Sequence, residues 1–106
     1  MPDARISIPP KVTRNEPFEV RIQIRHPMET GYRRDNVGNP IPRDIISRFA
    51  CIYNGTEVFR ADLFPAVAAN PYLRYFLVAQ SSGELTFEWA DDAGVRGSER
   101  VAVTVA

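Results

Sequence analysis

The chain has 106 residues, enough for one domain that buries somewhat over ~60% of its unfolded surface and too few for two. Its thirteen Lys and Arg balance thirteen Asp and Glu, so there is no global field to hold a phosphate backbone, which excludes nucleic acid as the expected partner. One cysteine rules out an internal disulfide, and neither a signal-length apolar stretch in Met1–Pro10 nor ~18 consecutive apolar residues anywhere is present, so the residues alone point to a soluble cytoplasmic protein with no membrane contact.

Arg5 to Ile8 reads as a short opening strand. Phe18, Val20, Ile22 and Ile24 then alternate with Glu19, Arg21, Gln23 and Arg25, the period of two that gives one buried and one wet face. The next stretch, His26-Pro27-Met28-Glu29-Thr30-Gly31-Tyr32-Arg33-Arg34-Asp35, begins a connection that runs from Pro27 to Pro42, far beyond the usual ~4 to 6 residues. Pro27 pushes His26 toward extended backbone and Gly31 accepts φ > 0, so this connection is shaped. Arg34-Asp35-Asn36-Val37-Gly38-Asn39 has turn composition and predicts a small hairpin projecting from one end of the fold.

Ile46 to Tyr53 and Glu57 to Leu63 flank Asn54-Gly55, whose tolerance of φ > 0 at both positions closes a two-residue hairpin. Leu63 to Tyr72 is apolar yet punctuated by Pro65 and Pro71, which suits either a crossover under the sheet edge or an apolar interface carried by Phe64, Val67, Asn70 and Tyr72. Tyr72 to Ala79, the break at Ser81-Ser82-Gly83, and the alternation of Leu85, Phe87 and Trp89 predict a second hairpin. Asp91-Asp92-Ala93-Gly94 turns again, and Val101, Val103 and Val105 form the last strand.

About seven short antiparallel strands at intervals near ~8 to 12 residues, without helical periodicity, predict an all-β, immunoglobulin-like sandwich spanning residues 1–106. The disulfide partner of antibody domains is missing, so the prediction rests on strand count, with Trp89 expected in the core.

The chemical inventory is thin: one His, one Cys, and no nucleophile elbow, phosphate loop or dinucleotide fingerprint. Cys51 lies in an alternating strand, where a thiol behaves as a small buried hydrophobe and not as the thiolate partner of His26. His26, Met28, Glu29 and Asp35 mix soft and hard ligands without zinc or EF-hand spacing, so no metal and no cofactor are expected, and Glu29 and Asp35 are suited to pair with Arg33 or Arg34. Twelve Arg against one Lys favours fork-shaped donors for carboxylates and interfaces. The expectation is a protein without catalytic residues whose docking loop comprises His26, Met28, Glu29, Arg33, Arg34 and Asp35.

The ten residues from His26 to Asp35, Ile41-Pro42, Tyr53-Asn54-Gly55, Ala69-Asn70-Pro71-Tyr72 and Trp89-Ala90-Asp91-Asp92 together resemble the SoxZ family over nearly the whole chain. The resemblance implies an immunoglobulin-like, non-catalytic subunit that forms a heterodimer with SoxY in the SoxYZ carrier of thiosulfate and sulfur oxidation. It further implies that sulfur rides on a SoxY cysteine and is presented to SoxAX, SoxB and a sulfur dehydrogenase in transient contacts; the two adjacent cations beside Gly31, Arg33 and Arg34, are suited by their own chemistry to offer charge-assisted hydrogen bonds to the anionic adduct or to acidic groups of a visitor. It also moves the expected compartment to the periplasm, reached by export together with a signal-bearing partner, and allows a homodimer when the subunit is isolated. Two other classes stay open on the residues: a self-associating extracellular sandwich that binds other proteins, and a small enzyme using His26 with Glu29 or Asp35.

Overall fold

Alternation of apolar and polar side chains drives the chain into two facing sheets in the computed structural model, which describes residues 4–64, 67 and 69–106. The strands are β1 (Ala4–Ser7), β2 (Pro17–Ile24), β3 (Ile46–Tyr53), β4 (Thr56–Asp62), β5 (Tyr72–Val78), β6 (Gly83–Asp91) and β7 (Arg96–Val103). One sheet has the order β1-β2-β5 and the other β4-β3-β6-β7, all antiparallel, the immunoglobulin-like sandwich expected from the strand count. Among the described residues no helix is long and apolar enough to cross a membrane.

The facing sides supply the core. Val20, Ile22 and Ile24 of β2 meet Phe49 and Cys51 of β3 and Leu85, Phe87 and Trp89 of β6, all buried. Phe49 sits edge-on to Phe59 and Tyr75, whose rings stack with centroids 4.0 Å apart, so the aromatic cluster ties β3 and β4 to β5 across the sandwich. Asn54 (φ 50°) and Gly55 (φ 86°) turn β3 into β4 as the dipeptide predicts.

One expectation fails. β5 and β6 do not form a hairpin: β5 pairs with β2 and β6 with β3, so Ser81-Ser82 carries the chain from one sheet to the other. The crossing is held from outside the two strands, by Asn15 N–H on the Ala79 carbonyl (3.0 Å), the Tyr53 hydroxyl on the Ser81 carbonyl and Val105 N–H on Ser82 Oγ (2.8 Å). A break of small polar residues signals a change of direction, and it does not say whether the next strand stays in the same sheet.

Candidate functional site

The long connection between β2 and β3 folds at one end of the sandwich into a ribbon fastened at every level. Glu29 and Asp44 exchange backbone hydrogen bonds (2.9 and 2.8 Å), Ile41 N–H reaches the Arg33 carbonyl (3.0 Å), and Asp35 N–H reaches the Asn39 carbonyl (2.8 Å). Asp35 Oδ1 accepts the N–H groups of Val37 (3.0 Å) and Asn39 (2.9 Å), closing the small hairpin that the composition predicts. Gly31 turns the ribbon at φ 87° with its α-carbon against Arg43; an added β-carbon would lie 2.9 Å from Arg43 Cβ.

His26 sits at the root of this ribbon, half-buried. Its ring Nδ1 accepts the Met28 N–H (2.9 Å), which assigns the proton of the neutral imidazole to Nε2, and Nε2 faces Asp91 Oδ2 at 3.1 Å. The side chains of the pair are only 12% and 7% exposed. Met28 turns inward at φ 54°, is buried, and its Sδ accepts the Ile46 N–H at the start of β3 (3.2 Å). Arg43 grips Asp92 through two bonds (2.8 and 3.1 Å), and Asp92 also accepts the Ile45 N–H (3.1 Å). These contacts, foremost the Arg43 hydrogen bond, hold the Asp92 carboxyl below the usual carboxylate range.

The predicted docking residues thus divide. Arg33, Arg34 and Asp35 are exposed, with Arg33 Nε on both Glu29 oxygens (3.2 and 3.1 Å) and Arg34 on the Gly38 carbonyl (2.9 Å), so each guanidinium is aimed and keeps further donors for an incoming group. The same hydrogen bond lowers the Glu29 pKa. His26 and Met28 face inward and set the shape of the ribbon.

The apolar candidates lie beside the same root. Asn70, at φ 52°, donates its N–H to the His26 carbonyl (2.7 Å) and accepts the His26 N–H on Oδ1 (3.0 Å), so the two surfaces predicted separately adjoin. Phe64 and Tyr72 are exposed (66% and 53%), and Val67 packs partly against the core. Pro65, Ala66 and Ala68 of that segment lie outside the described residues.

One candidate ligand set is present that the sequence did not reveal: donor atoms of His26, Asp44 and Asp91 all lie within 4.8 Å of one another. Each of the three side chains already has a partner, since His26 Nε2 faces Asp91 Oδ2, Asp44 Oδ1 accepts the Ala93 N–H (3.2 Å) and Asp91 Oδ1 the Val95 N–H (2.9 Å). A metal at Nε2 would send the imidazole proton to Nδ1, donor against donor at Met28, so the cluster fits a structural clasp better than a cation site. The metal grouping of His26 with Met28, Glu29 and Asp35 is not assembled, nor does His26 take Glu29 or Asp35 as a catalytic partner. Arg43, Asp44, Asp91 and Asp92 were missed as site residues; the Asp-Asp pair was legible as a turn and as the end of the Trp89-Ala90-Asp91-Asp92 motif.

A concavity of about 690 Å³ lies on the outer face of the four-stranded sheet, walled by Arg48, Arg60, Arg96, Asp62 and Glu88 over a floor of Ala50 and Ala90. It holds charge of both signs, with the Ser98 hydroxyl on its lining.

Comparison with known proteins places these features in context. A family described as sulphur oxidation protein SoxZ matches residues 6–102. No curated protein matches significantly. Among solved structures, a superoxide reductase (neelaredoxin) from Ignicoccus hospitalis is similar with a TM-score of 0.77 and 21% identity over 97% of this chain and 80% of that one. A putative superoxide reductase from Thermotoga maritima is similar with a TM-score of 0.74 and 16% identity, over 97% and 85%. The sulfur carrier protein SoxY from Chlorobium limicola f. thiosulfatophilum is similar with a TM-score of 0.69 and 11% identity, over 98% and 79%. At these identities the likeness is one of fold.

Proposed function

Because this chain belongs to the SoxZ family of sulphur oxidation proteins, we propose that it is the non-catalytic subunit that binds SoxY and helps present SoxY-bound sulfur intermediates to the other enzymes of the system. The observation that carries this reading is the state of its only thiol. Cys51 is fully buried in β3, and burial pushes its pKa up, away from the thiolate that sulfur transfer needs. A thiol so enclosed suits a subunit that supports sulfur chemistry carried on another polypeptide. That the SoxY of Chlorobium limicola has a similar sandwich makes a pair of like domains a natural form for the complex.

In this reading the end of the sandwich does the recognising. Arg33 and Arg34, held outward on a stapled ribbon, meet the anionic adduct or acidic side chains of SoxAX, SoxB or the sulfur dehydrogenase, while Phe64, Val67, Asn70 and Tyr72 contribute to the SoxY contact. The compartment belongs to the same reading: the periplasm, reached by export with a signal-bearing partner.

Co-expression with SoxY, followed by cross-linking and mass spectrometry of the periplasmic fraction, tests all three parts. Cross-links from the 26–35 ribbon or the 64–72 segment to SoxY are expected. Arg33→Ala with Arg34→Ala should slow thiosulfate oxidation in the reconstituted system by about tenfold, the loss of one or two charge-assisted hydrogen bonds. Turnover of thiosulfate by the chain alone, or a transferable persulfide on Cys51, would refute the proposal.

A further inference from the structure

The flank of the sandwich formed by β5 offers an interaction of its own, which shares Tyr72 with the SoxY contact proposed above. β5 is an edge strand, bonded to β2 alone. Ile24 N–H bonds the Pro71 carbonyl (2.9 Å) in the same register that pairs Ile22 with Leu73 and Val20 with Tyr75. Hydrogen-bonded pairs alternate along an antiparallel ladder, so residues 73, 75 and 77 turn their peptide groups to β2, and 72, 74, 76 and 78 turn theirs outward. Those same four residues carry the exposed side chains: Tyr72, Phe76 and Val78 are 53%, 58% and 56% exposed, with Arg74 between them. Sheet edges are ordinarily blunted by charge, proline or shortness, and on this face of β5 only Arg74 does so.

We propose that β5 pairs with β5 of a second copy of this chain, antiparallel about a two-fold axis at Tyr75. Outward peptide groups must meet outward peptide groups, which allows only a few registers. The one that uses the whole strand sets Tyr72 opposite Val78 of the second copy and Arg74 opposite Phe76 of the second copy. Both pairs are favourable, aromatic against β-branched and guanidinium against ring. Sliding the copies one way brings Arg74 against Arg74, like charges face to face; sliding them the other way leaves Tyr72 and its peptide groups unpaired. The strand is therefore complementary to itself in a single register, and pairing joins the two small sheets in the order β1-β2-β5-β5-β2-β1 through roughly eight inter-chain hydrogen bonds, two for each hydrogen-bonded pair.

Sedimentation of the full chain alone across the micromolar range is expected to give a monomer–dimer equilibrium. Amide hydrogen exchange is expected to slow at Tyr72, Arg74, Phe76 and Val78 as concentration rises. Phe76→Lys, at a side chain outside the core, should weaken the dimer at least about tenfold while its circular dichroism stays that of the parent. A monomer at every concentration, or a dimer whose four amides exchange at the dilute rate, overturns the proposal. So does protection of those amides that arises only with SoxY, since the edge would then belong to the heterodimer; failure of SoxY to bind at all leaves the expected self-association unchanged.

Discussion

In the middle of the sandwich two weakly acidic groups, the Cys51 thiol and the Tyr75 hydroxyl, face an environment that disfavours their charged forms, and burial pushes both pKa values up. Native Cys51 should therefore resist iodoacetamide at neutral pH and react fully only in denaturant, as mass spectrometry of the alkylated protein would record. The Tyr75 hydroxyl is buried with no nitrogen or oxygen partner and only the Cys51 thiol, a weak hydrogen-bonding group, beside it, so much of the ~1–3 kcal/mol cost of an unsatisfied group remains. Tyr75→Phe is expected to raise stability by about 1 kcal/mol in urea unfolding. His26→Ala acts in the opposite direction, because it leaves the largely enclosed Asp91 carboxylate, its side chain 7% exposed, without its ring partner; a loss of about 1–3 kcal/mol is expected in the same measurement. Acid sensitivity has a definite sign. Asp92, Glu29 and Glu57 are held below their ordinary values by Arg43, Arg33 and Arg60, so the folded state binds their protons less readily than the unfolded chain. Their contribution is fully present above about pH 4.5 and is lost as pH falls through the lowered values. Asp92→Asn should flatten the acid limb of a plot of Tm against pH.

Among the elements, the β6–β7 hairpin depends on a close approach. Trp89 pairs with Gly97 across the strands, and a β-carbon at position 97 would lie 2.1 Å from the indole. Gly97→Ala is expected to displace the ring, cost about 1–3 kcal/mol and shift the emission of the only tryptophan to the red, a readout that no other residue can supply. The β3–β4 hairpin was legible from its dipeptide because φ > 0 at two successive positions is a local demand that Asn-Gly meets by itself. The connection from β5 to β6 was not, because its direction depends on which sheet lacks a neighbour strand.

As a whole the molecule is elongated, 58 × 24 × 20 Å with a radius of gyration of 16.1 Å against the ~13 Å typical of a compact domain of this length. Such a shape leaves long flanks and one shaped end open to other proteins. If SoxY binds only the folded chain, saturation at about one hundred times Kd should add about 2.7 kcal/mol and raise Tm in proportion. An unchanged melting curve at saturating SoxY would count against the carrier reading.

By itself the sequence determined the strands, their buried faces and the hairpin at Asn54-Gly55, since alternation and turn chemistry act between near neighbours. It also placed Cys51 and Trp89 inside and flagged the ribbon at His26 through its motif. Only the tertiary structure decided that β5 leaves β6 for β2, that Met28 turns inward, and that His26 finds Asp91 sixty-five positions away. Partners of that kind are selected by how two sheets close over a common core, a condition that no short window of residues contains.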